Sequence, residues 1–401
     1  DKIVPNYVGN DIGCGIVSYP IELEKSIEEM RDKTIKKIVD NIHSNIAVRG
    51  RHTGIEILKD ELNDSLIRIF DLANQDIVVF QKYYKIHFGR DLTDKLPNYN
   101  HEWLEEFLKR VSLAESDFYG SLMTLGKGNH FIEFNRSDTT NKEYVTVHSG
   151  SRIVGKKICD FHQKKLYSLN NEEQWEEFDK KVVLFNKKNK DKKERLEYRN
   201  KLRDEMNLRV QSKKKYLDED DAIDYYIDMI FGQKYAIVNR ELMIKYVLNK
   251  LSESLIFNPE KKIESIHNYI DFESLIMRKG AISAREGELC LIALNMAEGI
   301  LLCEGKGNED WNYSCAHGAG RKITREKAIK SRIPILKRLE KIMEEKGVYS
   351  GSILRILVDE APECYKDSDV IIERIQPSIE IKEHLKPFIN IKNEFIDKEV
   401  I

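Results

Sequence analysis

Long apolar runs are missing from this 401-residue chain. None approaches the roughly 18–20 residues of a membrane-spanning helix, which argues against a helical membrane protein. A secretory leader is missing too, because Asp1-Lys2-Ile3-Val4 has neither a basic n-region nor an apolar h-region. There is no initiator methionine, so the chain is expected to begin inside a longer protein. Cysteine is sparse: six residues without short regular spacing read as reduced thiols in a cytoplasm-like compartment rather than a disulfide framework. No Gly-x-x-x-x-Gly-Lys-Ser/Thr occurs, which excludes a P-loop. No Lys-x-Asp-Gly occurs either, so a nucleotidyl intermediate would need a nucleophile other than the lysine of that peptide.

Glycine and proline are absent from Lys156 to Phe231, a stretch rich in Lys, Glu, Leu and Arg. It reads as long helices forming an arm on the body. A second helical stretch is expected from about Glu22 to Arg110, interrupted near Gly50, Gly89 and Pro97. Strands are expected at Tyr144–His148, Leu289–Ile292, Ile300–Leu302, Ser352–Val358 and Pro387–Ile391. The pattern is α+β: central sheets carrying glycine turns, surrounded by helices. Residues 1–401 read as one catalytic domain with residues 156–231 as a helical, basic insertion.

Net charge is −2, yet Lys180 to Lys215 holds 15 Lys/Arg against 5 Asp/Glu, so the remainder of the chain sums to −12. Such a stretch is either a solvated helical face or a surface that follows a phosphate backbone.

Chemistry concentrates in small-residue turns. Asp11-Ile12-Gly13-Cys14-Gly15 puts a carboxylate and a thiol on one turn. His130, His148, His267 and His317 sit beside Gly, Ser or Asn, whereas His43, His52, His87, His101, His162 and His384 lie in helix-like or charged surroundings and receive no role. A thiolate beside a divalent cation is deprotonated and can bridge two ions. Mixed N/O/S donors suit zinc, manganese, iron or cobalt, and paired ions suit phosphoryl chemistry. Gly126-Lys127-Gly128-Asn129 and Gly305-Lys306-Gly307-Asn308 are further turns able to offer N–H groups and an ammonium to phosphates.

Six peptides, in order, resemble the RtcB family of GTP-dependent RNA ligases: Asp11-Ile12-Gly13-Cys14-Gly15, Gly128-Asn129-His130-Phe131-Ile132-Glu133, His148-Ser149-Gly150-Ser151-Arg152, His267-Asn268-Tyr269, Lys279-Gly280-Ala281-Ile282-Ser283-Ala284-Arg285 and His317-Gly318-Ala319-Gly320-Arg321. The resemblance implies an RtcB-like fold and an enzyme joining RNA 3′-phosphate or 2′,3′-cyclic phosphate ends to 5′-hydroxyl ends, in tRNA splicing or RNA repair. It makes His317 the histidine that carries GMP. It makes Asp11, Cys14, His130, His148 and His267 the ligands of two Mn²⁺ ions, with Cys14 shared: one ion with Asp11 and His130, the other with His148 and His267. It assigns Asn129, Phe131, Glu133, Asn295, Gly318, Ala319, Gly320 and Lys392 to GTP, and Arg152 and Arg325 to RNA phosphates. RNA (tRNA halves or cleaved RNA) is the implied partner, and an archease-type activator a further candidate. The chain departs from the family pattern at Ala293, where many relatives carry proline, at Ala297-Glu298, where they carry Arg-Asp, and at Lys392-Asn393, which replaces a closing Lys-Gly and precedes an eight-residue tail. Against the family pattern, the sequence as it begins at Asp1 is expected to lack part of the segment that precedes Asp-x-Gly-Cys. Competing readings are a dimetal phosphatase or cyclic phosphodiesterase on the same scaffold, and a non-enzymatic RNA-binding protein.

Overall fold

A computed structural model describes residues 2–23, 26–27, 36–40, 42, 46, 59–206, 216–252, 254–352 and 354–392. His43, His52, most of the helix expected before residue 59, the last nine residues of the basic stretch, Asn393 and the tail lie outside the described residues.

An eight-stranded sheet organises the body. Its strands are β1 (Gly15–Ile21), β2 (Phe131–Ser137), β3 (Glu143–Ser149), β4 (Ile263–Ile266), β5 (Leu289–Ala293), β6 (Ile300–Gly305), β7 (Tyr349–Ser350) and β8 (Ile379–Lys392). Seven run in the order β5-β6-β8-β2-β3-β1-β4, antiparallel throughout, and β7 joins β8 in parallel. The two ends of this order nearly meet, since the Leu291 N–H of β5 donates to Ser265 Oγ of β4 at 2.8 Å. Near-closure protects edges that would otherwise pair with other chains. All seven residues of β3 are buried, which fits a strand covered on both faces.

Helices α1 (Lys59–Phe88), α2 (Arg152–Lys188), α3 (Lys192–Glu205) and α4 (Glu219–Leu251) flank the sheet. The stretch read as an arm divides here. Residues Ala222 to Phe231 belong to α4, whose apolar side chains fill the main core with Phe80, Tyr84, Phe107 and Phe118. Gly232 does not end that helix; a Cβ there would meet Ile158 Cδ1 at 3.0 Å and Ile12 Cγ2 at 3.2 Å, so the glycine permits close packing. The projecting part is the C-terminal half of α2 with α3. Lys164 Nζ lies 3.1 Å from Asp179 Oδ2, whereas 15 residues of straight helix span about 22 Å; α2 therefore bends between them.

Leu289–Ile292, Ile300–Leu302, Tyr144–His148 and Pro387–Ile391 fall inside strands. Ser352–Val358 does not. Leu354–Ile356 and Val358–Glu360 are single 3₁₀ turns, whose apolar residues pack on the helix Arg332–Glu345. A short apolar run marks burial without specifying the backbone.

Within α4 the polar pair Asn239-Arg240 is fully buried. Arg240 Nη1 donates to Gly13 O at 2.7 Å and Ser149 O at 2.8 Å, and Nε donates to Glu264 Oε1 at 2.9 Å. Asn239 bonds Thr124 N and O, Ser149 Oγ and Gly150 O. Arg240→Met is expected to cost about 3 kcal/mol of stability, because two buried carbonyls lose their donor while Glu264 retains Lys262 at 3.0 Å. Urea unfolding midpoints measure this; a loss under about 1 kcal/mol would show that the contacts are dispensable.

Candidate metal centre and nucleotide pocket

Strand order brings the donors together. β2, β3, β1 and β4 are consecutive neighbours and alternate in direction. The residue preceding β2 (His130), a residue near the end of β3 (His148), the residue preceding β1 (Cys14) and the residue following β4 (His267) therefore share one end of the sheet. Register makes this concrete: Ile16 and Phe131 both pair with His148, and Gly15 pairs with Ile266. The Asp11–Cys14 turn is closed by Cys14 N–H to Asp11 O at 3.1 Å. It is sewn to its neighbours by Gly13 N–H to Asn268 O, His267 N–H to Cys14 O and Ser151 N–H to Ile12 O. Gly13 has φ +68, and a Cβ there would lie 2.8 Å from Ala236 Cβ, so only glycine lets the turn rest on α4.

Two donor groups result, Asp11–Cys14–His130 and Cys14–His148–His267, each with its ligand atoms within 4.8 Å of one another. Cys14 Sγ lies 3.3 Å from both His130 Nε2 and His148 Nε2, His148 Nε2 lies 3.3 Å from His267 Nε2, and His130 Nε2 lies 2.9 Å from Asp11 Oδ2. Burial, then neighbouring imidazoles, hold His148 and His267 well below the usual histidine range. Burial and the Asp11 charge push the Cys14 thiol up. Burial raises Asp11, but His130 and Arg152 outweigh it and leave the carboxyl at about 2. Three imidazoles, a thiol and a carboxylate, their ligand atoms gathered in two groups, form a set that a divalent cation would satisfy. Among the described residues the Nδ1 atoms of His130, His148 and His267 have no hydrogen-bond partner, so no acceptor at Nδ1 fixes their tautomers.

Beyond the donors lies a cavity lined by Asn129, Phe131, Glu133, Asn295, His317, Gly318, Ala319 and Lys392, among others. His317 Nδ1 is 2.7 Å from Gly280 O. A carbonyl only accepts, so Nδ1 carries the proton and Nε2 keeps its lone pair. Burial lowers the His317 pKa, against the Gly280 bond. Its ring centroid is 4.5 Å from that of His267. Gly318 packs on Ala293, whose carbonyl would be 2.4 Å from an added Cβ. Ala293 N–H donates to His317 O at 3.2 Å, a bond that a proline at this position would lack. Asn295 lines the cavity with its amide engaged: Nδ2 donates to Glu298 Oε2 at 2.7 Å, and Oδ1 accepts from the Ala297 and Glu298 N–H groups. Gly320 lies outside the lining, its carbonyl accepting from Lys366 N–H.

Burial pushes the Glu133 carboxyl up to about 7, against hydrogen bonds from Asn135 and Asn390 and the charge of Lys392. Glu360 and Tyr365 also line the cavity, and the sequence reading missed both. Glu360 collects Lys392 Nζ at 3.4 Å, Arg325 Nη1 at 3.0 Å, Arg321 Nη1 at 3.3 Å and the Tyr365 hydroxyl at 2.5 Å. Arg325 stands against the Gly126–Asn129 turn, where a Cβ on Gly128 would lie 2.6 Å from its Nη2. Arg152 is held by Thr124 Oγ1 at 3.1 Å, next to the Asp11 group. The other glycine-lysine turn is elsewhere: Lys306 Nζ donates to Gln376 O and Asn308 Nδ2 to Pro377 O.

A family model described as tRNA-splicing ligase RtcB matches residues 1–393. The chain belongs to the RtcB family. It is 25% identical to the RNA-splicing ligase RtcB of Escherichia coli (strain K12), over 97% of this chain and 84% of that protein. Against the tRNA-splicing ligase RtcB of Nanoarchaeum equitans it is 25% identical over 92% of this chain and 77% of that protein. Against its namesake from Methanococcus maripaludis it is 23% identical over 92% and 78%. Among the described residues no helix of this RtcB-family chain is long and apolar enough to cross a membrane.

The Asp11 carboxylate leaves no room for a side chain at position 150, where an added Cβ would lie 2.2 Å from Oδ1. Gly150→Ala is expected to displace Asp11 and weaken Mn²⁺ binding about tenfold or more, measured by calorimetric titration. Wild-type affinity in that variant would remove Asp11 from the ligand set.

Proposed function

We propose that this protein is an RNA ligase that joins RNA 3′-phosphate or 2′,3′-cyclic phosphate ends to 5′-hydroxyl ends through GMP carried on His317. The carrying observation is the Nδ1–H bond from His317 to Gly280, which leaves Nε2 unprotonated at a cavity that His148 of the Cys14–His148–His267 group also lines. The relatives named as RNA- and tRNA-splicing ligases support the RNA substrate.

Asp11, Cys14 and His130 would hold one divalent cation and Cys14, His148 and His267 a second. When bound, such ions supply Lewis-acid neutralisation of phosphate charge and stabilise the thiolate. His317 Nε2 attacks the α-phosphorus of GTP; a P–N bond forms and pyrophosphate leaves with the electrons of the broken P–O bond. Nδ1 keeps its proton throughout, and the Gly280 carbonyl stabilises the positive ring that results. That positive ring is a good leaving group when an RNA 3′-phosphate oxygen takes the GMP. The 5′-hydroxyl of the second end then attacks the activated phosphate and GMP departs. A cyclic end is first hydrolysed to the 3′-phosphate at the same site. Asn129, Phe131, Glu133 and Lys392 line the space that would take the nucleotide, and Arg152 and Arg325 would anchor RNA phosphates. Part of the Arg325 and Lys392 charge is already matched by Glu360.

Incubation with α-labelled GTP and Mn²⁺ followed by denaturing electrophoresis tests this. Label is expected on the wild type and on Lys187→Gln, and only background on His317→Ala. An unlabelled wild type, or equal labelling of His317→Ala, favours a dimetal phosphatase or phosphodiesterase instead. Replacing GTP by ATP and dGTP in parallel reads the nucleotide preference of the altered 293–298 peptide.

A further inference from the structure

We propose that the tip of the α2–α3 hairpin is a docking element for the phosphodiester backbone of RNA, separate from the ligation site and blind to base sequence. The inference rests on the reading of the protein as an RNA ligase. Between residues 187 and 193 five of seven residues are lysines and one is an aspartate. Lys187, Lys188, Lys190, Lys192 and Lys193 are all exposed.

Lysines on a helix are most often solvated and paired with acids one turn away. That description fits the flanks of the hairpin: Lys180 pairs with Glu176 at 3.4 Å, Lys181 with Glu177 at 2.7 Å and Lys201 with Glu205 at 3.7 Å. It does not fit the tip, where none of the five lysines has an ion-pair partner among the described residues. Asp191, the acid among them, accepts from the Lys193 and Glu194 N–H groups as the cap of α3. Arg195 is also committed locally, donating to Asn186 O and Asn189 O across the turn. The cations left without a partner among the described residues at the tip are therefore these five lysines.

The scaffold beneath them is built. Phe178 and Leu202 form a small core with Trp175, Val182, Tyr198 and Met206, distinct from the main core. Phe185 and Tyr198 stack at 3.9 Å with planes 4° apart. The main fold gains no core residue from this part of the hairpin, yet the lysines are held on an ordered turn. The two rings cover one face of each other. Unpaired ammonium groups match backbone contact, which positions RNA without reading it.

The test measures RNA binding directly, with no GTP present, so it does not depend on the chemistry at His317. Fluorescence anisotropy of a labelled single-stranded RNA with a 3′-phosphate is followed against salt for the wild type, for the tip variant Lys187→Gln/Lys188→Gln/Lys190→Gln and for the flank variant Lys180→Gln/Lys181→Gln/Lys201→Gln. Each lysine on a phosphate contributes about 0.7–0.9 to the slope of log affinity against log salt. The tip variant is expected to lose about 2 from that slope equally on two unrelated sequences, and the flank variant less than one contact's worth. Labelling of His317 by GTP stays at the wild-type level in both, and unchanged melting temperatures show that they fold. A wild-type slope in the tip variant, an equal loss in the flank variant, or a loss confined to one sequence overturns the proposal. An unaltered slope with no labelling of the wild type would sink both the docking tip and the ligase reading, each by its own readout.

Discussion

The Arg240 guanidinium is the contact on which the candidate centre depends. It reaches three chain segments that are far apart in sequence: the Asp11–Cys14 turn through Gly13 O, the end of β3 through Ser149 O and β4 through Glu264. Those segments carry Asp11, Cys14, His148 and His267. A charge with no solvent exposure survives only when it is paired and bonded; here Nε and Nη1 donate to the groups that must stay aligned, and Nη2 lies 2.8 Å from the Glu264 carboxylate. Asn239 does the same for the Thr124 and Gly150 segments. Helix α4 thus positions four donor-bearing segments from beneath, while the antiparallel register fixes their height.

Above that platform the electrostatics change in steps. Around Cys14 burial holds His148 and His267 well below the usual histidine range, and the Asp11 carboxyl stays low, so donor lone pairs and a carboxylate face the centre. Across the cavity Lys392, Arg321 and Arg325 supply positive charge of their own, matched in part by Asp359 and Glu360. His317 stands between the two regions. On the proposed reading a polyphosphate would lie between the donor groups and these cations, with His317 Nε2 beside it.

The glycine turns were legible because their chemistry is local. A carboxylate and thiol flanking Gly13, or a histidine opening Gly318-Ala319-Gly320, reads as a turn whatever the fold around it. Strand register brings Cys14, His130, His148 and His267 together, the turn adds Asp11 and the bond to Gly280 adds His317, which no single peptide encodes. Glu360 and Tyr365 gave no local signal, since their role comes from the distant partners Lys392 and Arg321. Arg240 did leave one: Asn239-Arg240-Glu241 interrupts the apolar run from Tyr235 to Ile244, and a buried charge there needs a purpose. The misreadings have the same root. Ser352–Val358 is apolar because it packs on a helix, and Gly305-Lys306-Gly307-Asn308 has the composition of a phosphate turn but bonds to Gln376 and Pro377. The division of 156–231 between arm and core turned on Gly232, whose packing role within α4 is invisible without its neighbours.

The central claim is that one sulfur atom belongs to two cation sites. Anomalous diffraction at the manganese edge from crystals soaked in Mn²⁺ addresses it without reference to activity. The account predicts two peaks per chain, one among Asp11, Cys14 and His130 and one among Cys14, His148 and His267, with Cys14 Sγ bonded to both and both lost or displaced in Cys14→Ala. A single peak, or two peaks of which one survives unmoved without the thiol, would contradict it.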